Sequence, residues 1–297
     1  MGETDITQKN FEEYSDVFSD IVNGCIYKGK QIVKPCELRA ANVHSQYKAD
    51  DGGIHEQERD VVKDWQPSNV RIAICGIENQ VLPEKYMPLR VIGYEGASYR
   101  SQLLKDGKLP APVLTIVLYW GTERRWSYPR NLKDILRIPE GMDEYINDFK
   151  INVFEVAWFT DEEISRFKSD FRIVANFFVQ KRKNKEYVPD DHTEIVHVDA
   201  LLKLLSVMTH DNRYEEILLD PYRKEIRNMC DVAERLENKG RAEGRVEGRV
   251  EGRVEGERNL ATLITRLISL GRISDVEKAA SDEAARKAFY KEFGIID

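Results

Sequence analysis

The sequence predicts an α/β (α+β) fold, a mixed sheet flanked by helices with a helical C-terminal extension. Three observations lead there. Short apolar runs with strand character alternate with longer segments of helical periodicity. The run "APVLTIVLYWG" is almost continuously apolar, the pattern of a strand buried on both faces. Beyond Gly240 a four-residue repeat leads into a tail whose apolar residues recur at three- and four-residue steps.

The elements follow in chain order. Phe11, Tyr14, Val17, Phe18 and Ile21 put an apolar stripe on one helix running from about Gln8 to Asn23, with Gly24 as its stop. Asp16 and Asp20 lie four apart on one side of it. "GKQIVKPCEL" reads as a short extended piece and a proline turn. "DDGG" marks an exposed turn, and "QPSN" joins two strands of a hairpin ending in "RIAICGIENQ". A helix over about Met87 to Leu104, the buried strand of "APVLTIVLYWG" and a strand in "INVFEVAWF" come next. Thr160 and Glu163 form a capping box opening one long helix with a basic end. Two further helical stretches run to about residue 238.

The repeat "GRAEGRVEGRVEGRVEGER" advances each residue type by about 40° per repeat on an ideal helix. Gly240, Gly244, Gly248, Gly252 and Gly256 thus form a slowly winding stripe, each costing roughly 1 kcal/mol relative to alanine. Like charges meet at four-residue spacing, so the ion pairs help little. Two readings stay open: a helix packed on a partner through its glycines, which makes a homodimer, or a flexible spacer. In the tail, Gly271 ends one helix, Ser274 and Glu277 form a capping box for the next, and "DEAARKAFYKEFG" makes a third. The expected organisation is a main α/β domain over 1–238, the repeat over 239–257 and a small helical region over 258–297.

Composition sets limits. The chain has 297 residues, 33% of them charged, and a net charge of −7, so any phosphate-binding surface must be a local basic patch. Cys25, Cys36, Cys75 and Cys230 lack C-x-x-C spacing and the five histidines are scattered, which speaks against zinc. No apolar run is long enough for a membrane span, and the N-terminal residues lack signal-peptide order. Scattered thiols without an export signal fit a reducing, cytoplasmic setting.

The chemistry concentrates near "RIAICGIENQ". Strand alternation puts Glu78 and Gln80 on the face of Val70, Ile72 and Ile74, where polar groups are costly unless they bind something. Asp60, at the start of the preceding strand, would lie across the hairpin from Glu78. Two nearby carboxylates raise each other's pKa unless a cation separates them, and Mg²⁺ suits such oxygen donors. Gln80 would orient a water or hold the metal shell. The competing reading is a pair of solvated acids at strand ends.

These blocks, "ERDVV", "GIENQ", "MPLRVIGYEGASY" and "PVLTIVLYWG", in this order, resemble the PD-(D/E)XK nuclease family transposases, also called recombination-promoting nucleases. The likeness extends to "VFSDIVNGCIYKGKQIVKPCEL" and covers most of residues 10–235. It implies a restriction-endonuclease-like core and divalent-metal-dependent cleavage of DNA. By that resemblance Asp60 and Glu78 are metal ligands, and Gln80 takes the place usually held by lysine. Asp20 matches an additional acid, and Arg90 and Tyr94, one helical turn apart, contact phosphate. A glutamine supplies a dipole where lysine supplies a charge. The alternative is therefore a catalytically weakened nuclease fold acting as a DNA- or protein-binding module.

Overall fold

A computed structural model describes residues 3–41, 44–48, 54–58, 61–77, 84–103, 110–219 and 225–296. These fall into two compact units, Met1–Ala233 and Glu234–Asp297.

The first unit opens with helices α1 (Glu3–Glu12) and α2 (Ser15–Cys25), where the apolar periodicity predicts one continuous helix. The break coincides with a long-range contact. The Lys63 ammonium donates to the Glu13 carbonyl at 2.6 Å and to the Ser15 hydroxyl at 3.0 Å, so that carbonyl serves a strand lysine at the joint. A short 3₁₀ turn at Pro35–Glu37 leads to β1 (Leu38–Ala40). Strands β2 (His44–Lys48) and β3 (Ile54–Glu58) pair with each other as a separate antiparallel ribbon. Strands β4 (Val61–Trp65) and β5 (Val70–Ile77) form the expected hairpin across Gln66–Asn69, with Val61 opposite Ile74 and Trp65 opposite Val70.

Helix α3 (Met87–Leu103) follows, then β6 (Val113–Tyr119) and β7 (Asn152–Glu155). The main sheet is mixed, in the order β1-β4-β5-β6-β7, antiparallel up to β5 and parallel from β5 to β7. Its interior strand β6 is buried along almost its whole length, as the unbroken apolar run requires. On one face α3 contributes Met87, Val91 and Tyr94 to a cluster with Val117, Tyr119, Trp126 and Val153. Elsewhere in the core, Phe11, Val17, Phe18 and Ile21 from α1 and α2 are fully buried.

The capping box at Thr160 is present: the Thr160 hydroxyl accepts from the Glu163 amide at 3.2 Å, and Glu163 Oε2 accepts from the Thr160 amide at 2.8 Å. The helix it opens, α4 (Asp161–Ser165), stops after five residues, and α5 (Asp170–Lys183) starts afresh with Ser169 as its cap. The reason is Asp20, whose carboxylate takes the Lys168 and Ser169 amides out of any continuing helix. Trp120 packs edge-on against Phe171 and Phe178 of α5. Helices α6 (Val198–Thr209) and α7 (Arg213–Leu218) lie within this unit, and α8 (Met229–Ser269) begins at its end.

In the second unit the repeat is helical throughout, as part of α8. Gly271 (φ 71°) supplies the left-handed turn after it, and α9 (Ile273–Ser281) and α10 (Glu283–Glu292) complete the unit. The capping box expected at Ser274 is not formed. α9 starts two residues earlier behind Arg272, whose guanidinium instead bonds Asp275 at 2.7 Å and Glu292 at 2.5 Å while lying over Phe289 and Phe293. Leu263, Leu267, Ala279 and Tyr290 form a small core. Among the described residues no helix is long and apolar enough to cross a membrane.

Candidate functional site

Asp60, Glu78 and Gln80 lie outside the described residues. What surrounds their places in the chain is described. Asp60 precedes Val61, the first residue of β4, and Glu78 follows Ile77, the last of β5. Because β4 and β5 are antiparallel, the start of one and the finish of the other are at the same end of the sheet. Parallel pairing brings Tyr119 of β6 opposite Ile77, and Glu155 of β7 opposite Tyr119, so the carboxyl ends of three parallel strands meet there. That end is where open sheets with parallel strands place their ligand sites.

The strand that leads away from Asp60 is tied down by an unusual group. Lys63 is 6% exposed, on the same side of β4 as Val61 and Trp65. Besides its two oxygen acceptors, its ammonium lies 5.5 Å from the centre of the Phe18 ring. Burial lowers its pKa, and the nearby Glu13 and Asp16 charges oppose that shift. The sequence signal for its burial is its alternation with the apolar Val61 and Trp65.

Asp20 is buried on α2, and its Oδ2 accepts three hydrogen bonds: from the Lys168 amide (2.7 Å), the Ser169 amide (2.7 Å) and the Ser169 hydroxyl (2.8 Å). These contacts tie α2 to the start of α5. Its Oδ1 is buried without a hydrogen-bond partner. Desolvation raises the Asp20 pKa, outweighing the hydrogen bonds that favour the carboxylate.

A second acid does similar work beside it. Asp170, also buried, accepts from the Val196 amide at 3.0 Å and the His197 amide at 2.6 Å, and its pKa is likewise raised by burial. The His197 ring stacks on Tyr14 with centroids 3.7 Å apart, and its Nε2 lies 2.9 Å from Asp16 Oδ2. Asp16, Asp20 and Asp170 thus hold neighbouring segments together. Among the described residues no group of three or more histidine, cysteine, aspartate or glutamate side chains is arranged to hold a metal.

Arg90 and Tyr94 are brought together: Arg90 Nη2 donates to the Tyr94 hydroxyl at 3.3 Å. The Tyr94 ring belongs to the core cluster under α3 and is 5% exposed, whereas Arg90 is partly exposed.

Residues 72–205 match the model of a family described as putative transposase, YhgA-like. The matched segment includes Glu78, Gln80, Arg90 and Tyr94 and begins after Asp20 and Asp60. No curated protein and no solved structure matches the chain. Over residues 72–205, a little under half of its length, the chain is thus similar to the putative transposase, YhgA-like family, which is of the PD-(D/E)XK type.

Proposed function

We propose that the protein is a divalent-metal-dependent DNA endonuclease that hydrolyses phosphodiester bonds. The observation that supports this most is the family match over β5, α3 and β6, together with a sheet in which the start of β4 and the finish of β5 are at the same end.

The donor set suits the metal chemically. Two carboxylates and an amide carbonyl are hard oxygen donors, the class that Mg²⁺ accepts, with water and substrate phosphate completing its shell. Asp60 and Glu78 would hold it, and when bound it would polarise a phosphoryl oxygen and acidify a bound water. Gln80 accepts a hydrogen bond through its carbonyl and donates through its amide, so it orients the attacking water. Asp20 contributes as an additional acid through Oδ1, the oxygen left without a hydrogen bond. Arg90, held by the Tyr94 hydroxyl, donates to a phosphate oxygen, with Tyr94 as its positioning residue.

The experiment is plasmid cleavage with and without Mg²⁺. Cleavage that EDTA abolishes and that Asp60→Ala lacks is the expected result; equal cutting by Asp60→Ala overturns the site. A second reading, a weakened nuclease fold that binds DNA or protein, is favoured by one residue, Gln80 in place of lysine.

The proposed setting is the cytoplasm and the proposed assembly a homodimer through α8. Val246, Val250 and Val254 are more than half exposed on α8, and a Cβ built on Gly244, Gly248 or Gly252 meets nothing within 4 Å. A second copy of this helix would pack on the glycine stripe, the valines lying about 200° round the helix from it.

A further inference from the structure

Around Trp158, just after β7, the structure gathers three guanidinium groups. The Arg182 guanidinium carbon lies 4.1 Å from the centre of the indole ring, and that of Arg125 lies 5.0 Å from it. Arg130 Nη2 is 2.8 Å from Glu155 Oε1, and Arg125 Nη1 is 3.6 Å from Glu155 Oε2. One carboxylate therefore serves two of the three cations, while Arg182 Nε donates to the Ala157 carbonyl at 2.7 Å. Arg182 also belongs to the basic last turn of α5, with Lys181 and Lys183, the latter 3.7 Å from Asp161.

The support beneath the cluster is built. The Trp158 indole donates to the Gly121 carbonyl at 3.0 Å, and the Tyr119 hydroxyl donates to the Arg124 carbonyl at 2.9 Å. These bonds fix the loop that carries Arg125. Gly121 must lack a side chain there, because a Cβ would sit 2.2 Å from the Tyr119 ring. A guanidinium stacked on an aromatic ring keeps its planar edge of N–H donors outward, the geometry that suits a phosphate. The Arg125 and Arg130 side chains are 67% and 42% exposed, so solvent reaches both.

The place matters as much as the charge. Glu155 is opposite Tyr119, which is opposite Ile77, the residue before Glu78. With strands about 4.8 Å apart, the backbone of Glu155 lies roughly 10 Å from that of Ile77. On a chain of net charge −7, this is a local basic surface next to the proposed cleavage site.

We propose that Arg125, Arg130 and Arg182, organised by Trp158 and Glu155, contact the phosphodiester backbone of DNA beside the scissile bond. The choice of DNA rests on the endonuclease reading above. The test is fluorescence anisotropy with a labelled duplex in EDTA, over a series of salt concentrations, alongside plasmid cleavage in Mg²⁺. The Arg125→Ala/Arg182→Ala variant should bind at least tenfold more weakly at low salt. Its dependence of log K on log salt should flatten by about 1.8, or 0.9 per lost phosphate contact. If Arg182→Ala impairs folding through its lost bond to Ala157, Arg125→Glu alone should show the weaker binding. Lys34→Ala, an exposed cation beside the 3₁₀ turn, should bind like wild type. Variants that match wild type in affinity and salt slope overturn the surface, and the endonuclease reading stands if wild type still cuts. A wild type that binds but does not cut, with the flattened slope in the variant, supports the surface and removes the endonuclease. A wild type that binds no duplex at low salt overturns both.

Discussion

The stretch around Asp20 and the repeat of α8 are opposite ways of ordering backbone. At Asp20, one buried oxygen collects two amides and a hydroxyl from a segment 148 residues away, and a helix is broken to allow it. In the repeat, among the described residues, the helix's own hydrogen bonds and exposed ion pairs such as Arg253–Glu257 at 2.9 Å accompany a glycine at every fourth residue. The first is specified by long-range partners, and a single change there removes several bonds at once. The second is specified by repetition, and a single change alters one turn.

That contrast orders the expected effects. The largest belongs to the first unit: Asp60→Ala should lower Mg²⁺-dependent cleavage by about 100-fold or more with the melting temperature unchanged, since losing a metal ligand removes the chemistry it supplies. Gln80→Lys should raise cleavage if the amide limits the rate, because a cation stabilises developing charge better than a dipole does. An unchanged rate in a single-turnover assay would show that Gln80 is no handicap.

Next in size is Asp20→Ala, which leaves two backbone donors and a hydroxyl without their acceptor. A loss of about 3 kcal/mol in denaturant unfolding is expected. A loss under about 1 kcal/mol would erase the distinction between the two regions. The pH dependence has a definite sign. The folded Asp20 pKa is raised above 3.8, so its ionised form is disfavoured at neutral pH and that cost is relieved as the pH falls through the folded value. Wild type should therefore gain stability relative to Asp20→Asn on acidification toward pH 3.8, as thermal melts of both would show.

The smallest effect per residue belongs to the repeat. Alanine at Gly244, Gly248 and Gly252 should raise helicity, each by roughly 1 kcal/mol of propensity. If two copies pack on that stripe, the same change should shift the protein to monomer on a sizing column. Greater helicity at unchanged mass would dissociate the glycines from assembly.

Much of the architecture was legible because it rests on local rules. The alternation at Val70, Ile72 and Ile74, the turn at Gln66–Asn69 and the apolar run of β6 each carry their own signature. The breaks in the predicted helices at Glu13–Tyr14 and at Arg166–Ser169 were not legible, since each depends on a partner far along the chain, Lys63 in one case and Asp20 in the other. The same applies to the site. Asp60, Glu78 and Gln80 stand out in the sequence, Arg90 and Tyr94 are indeed neighbours, and Asp20 has an anchoring role that its spacing did not suggest. The arginines near Trp158 come from "ERRW", "YPR" and "QKRK", three segments that only the folded chain brings together.

The interior ions bear on how this acidic molecule would look to a polyanion. Among the described residues Glu12, Asp20 and Asp170 are buried acids and Lys63 is a buried base, and desolvation raises the pKa of Asp20 and Asp170. Burial does not cancel a charge, so protonation of these acids is what would lessen the repulsion an approaching duplex feels.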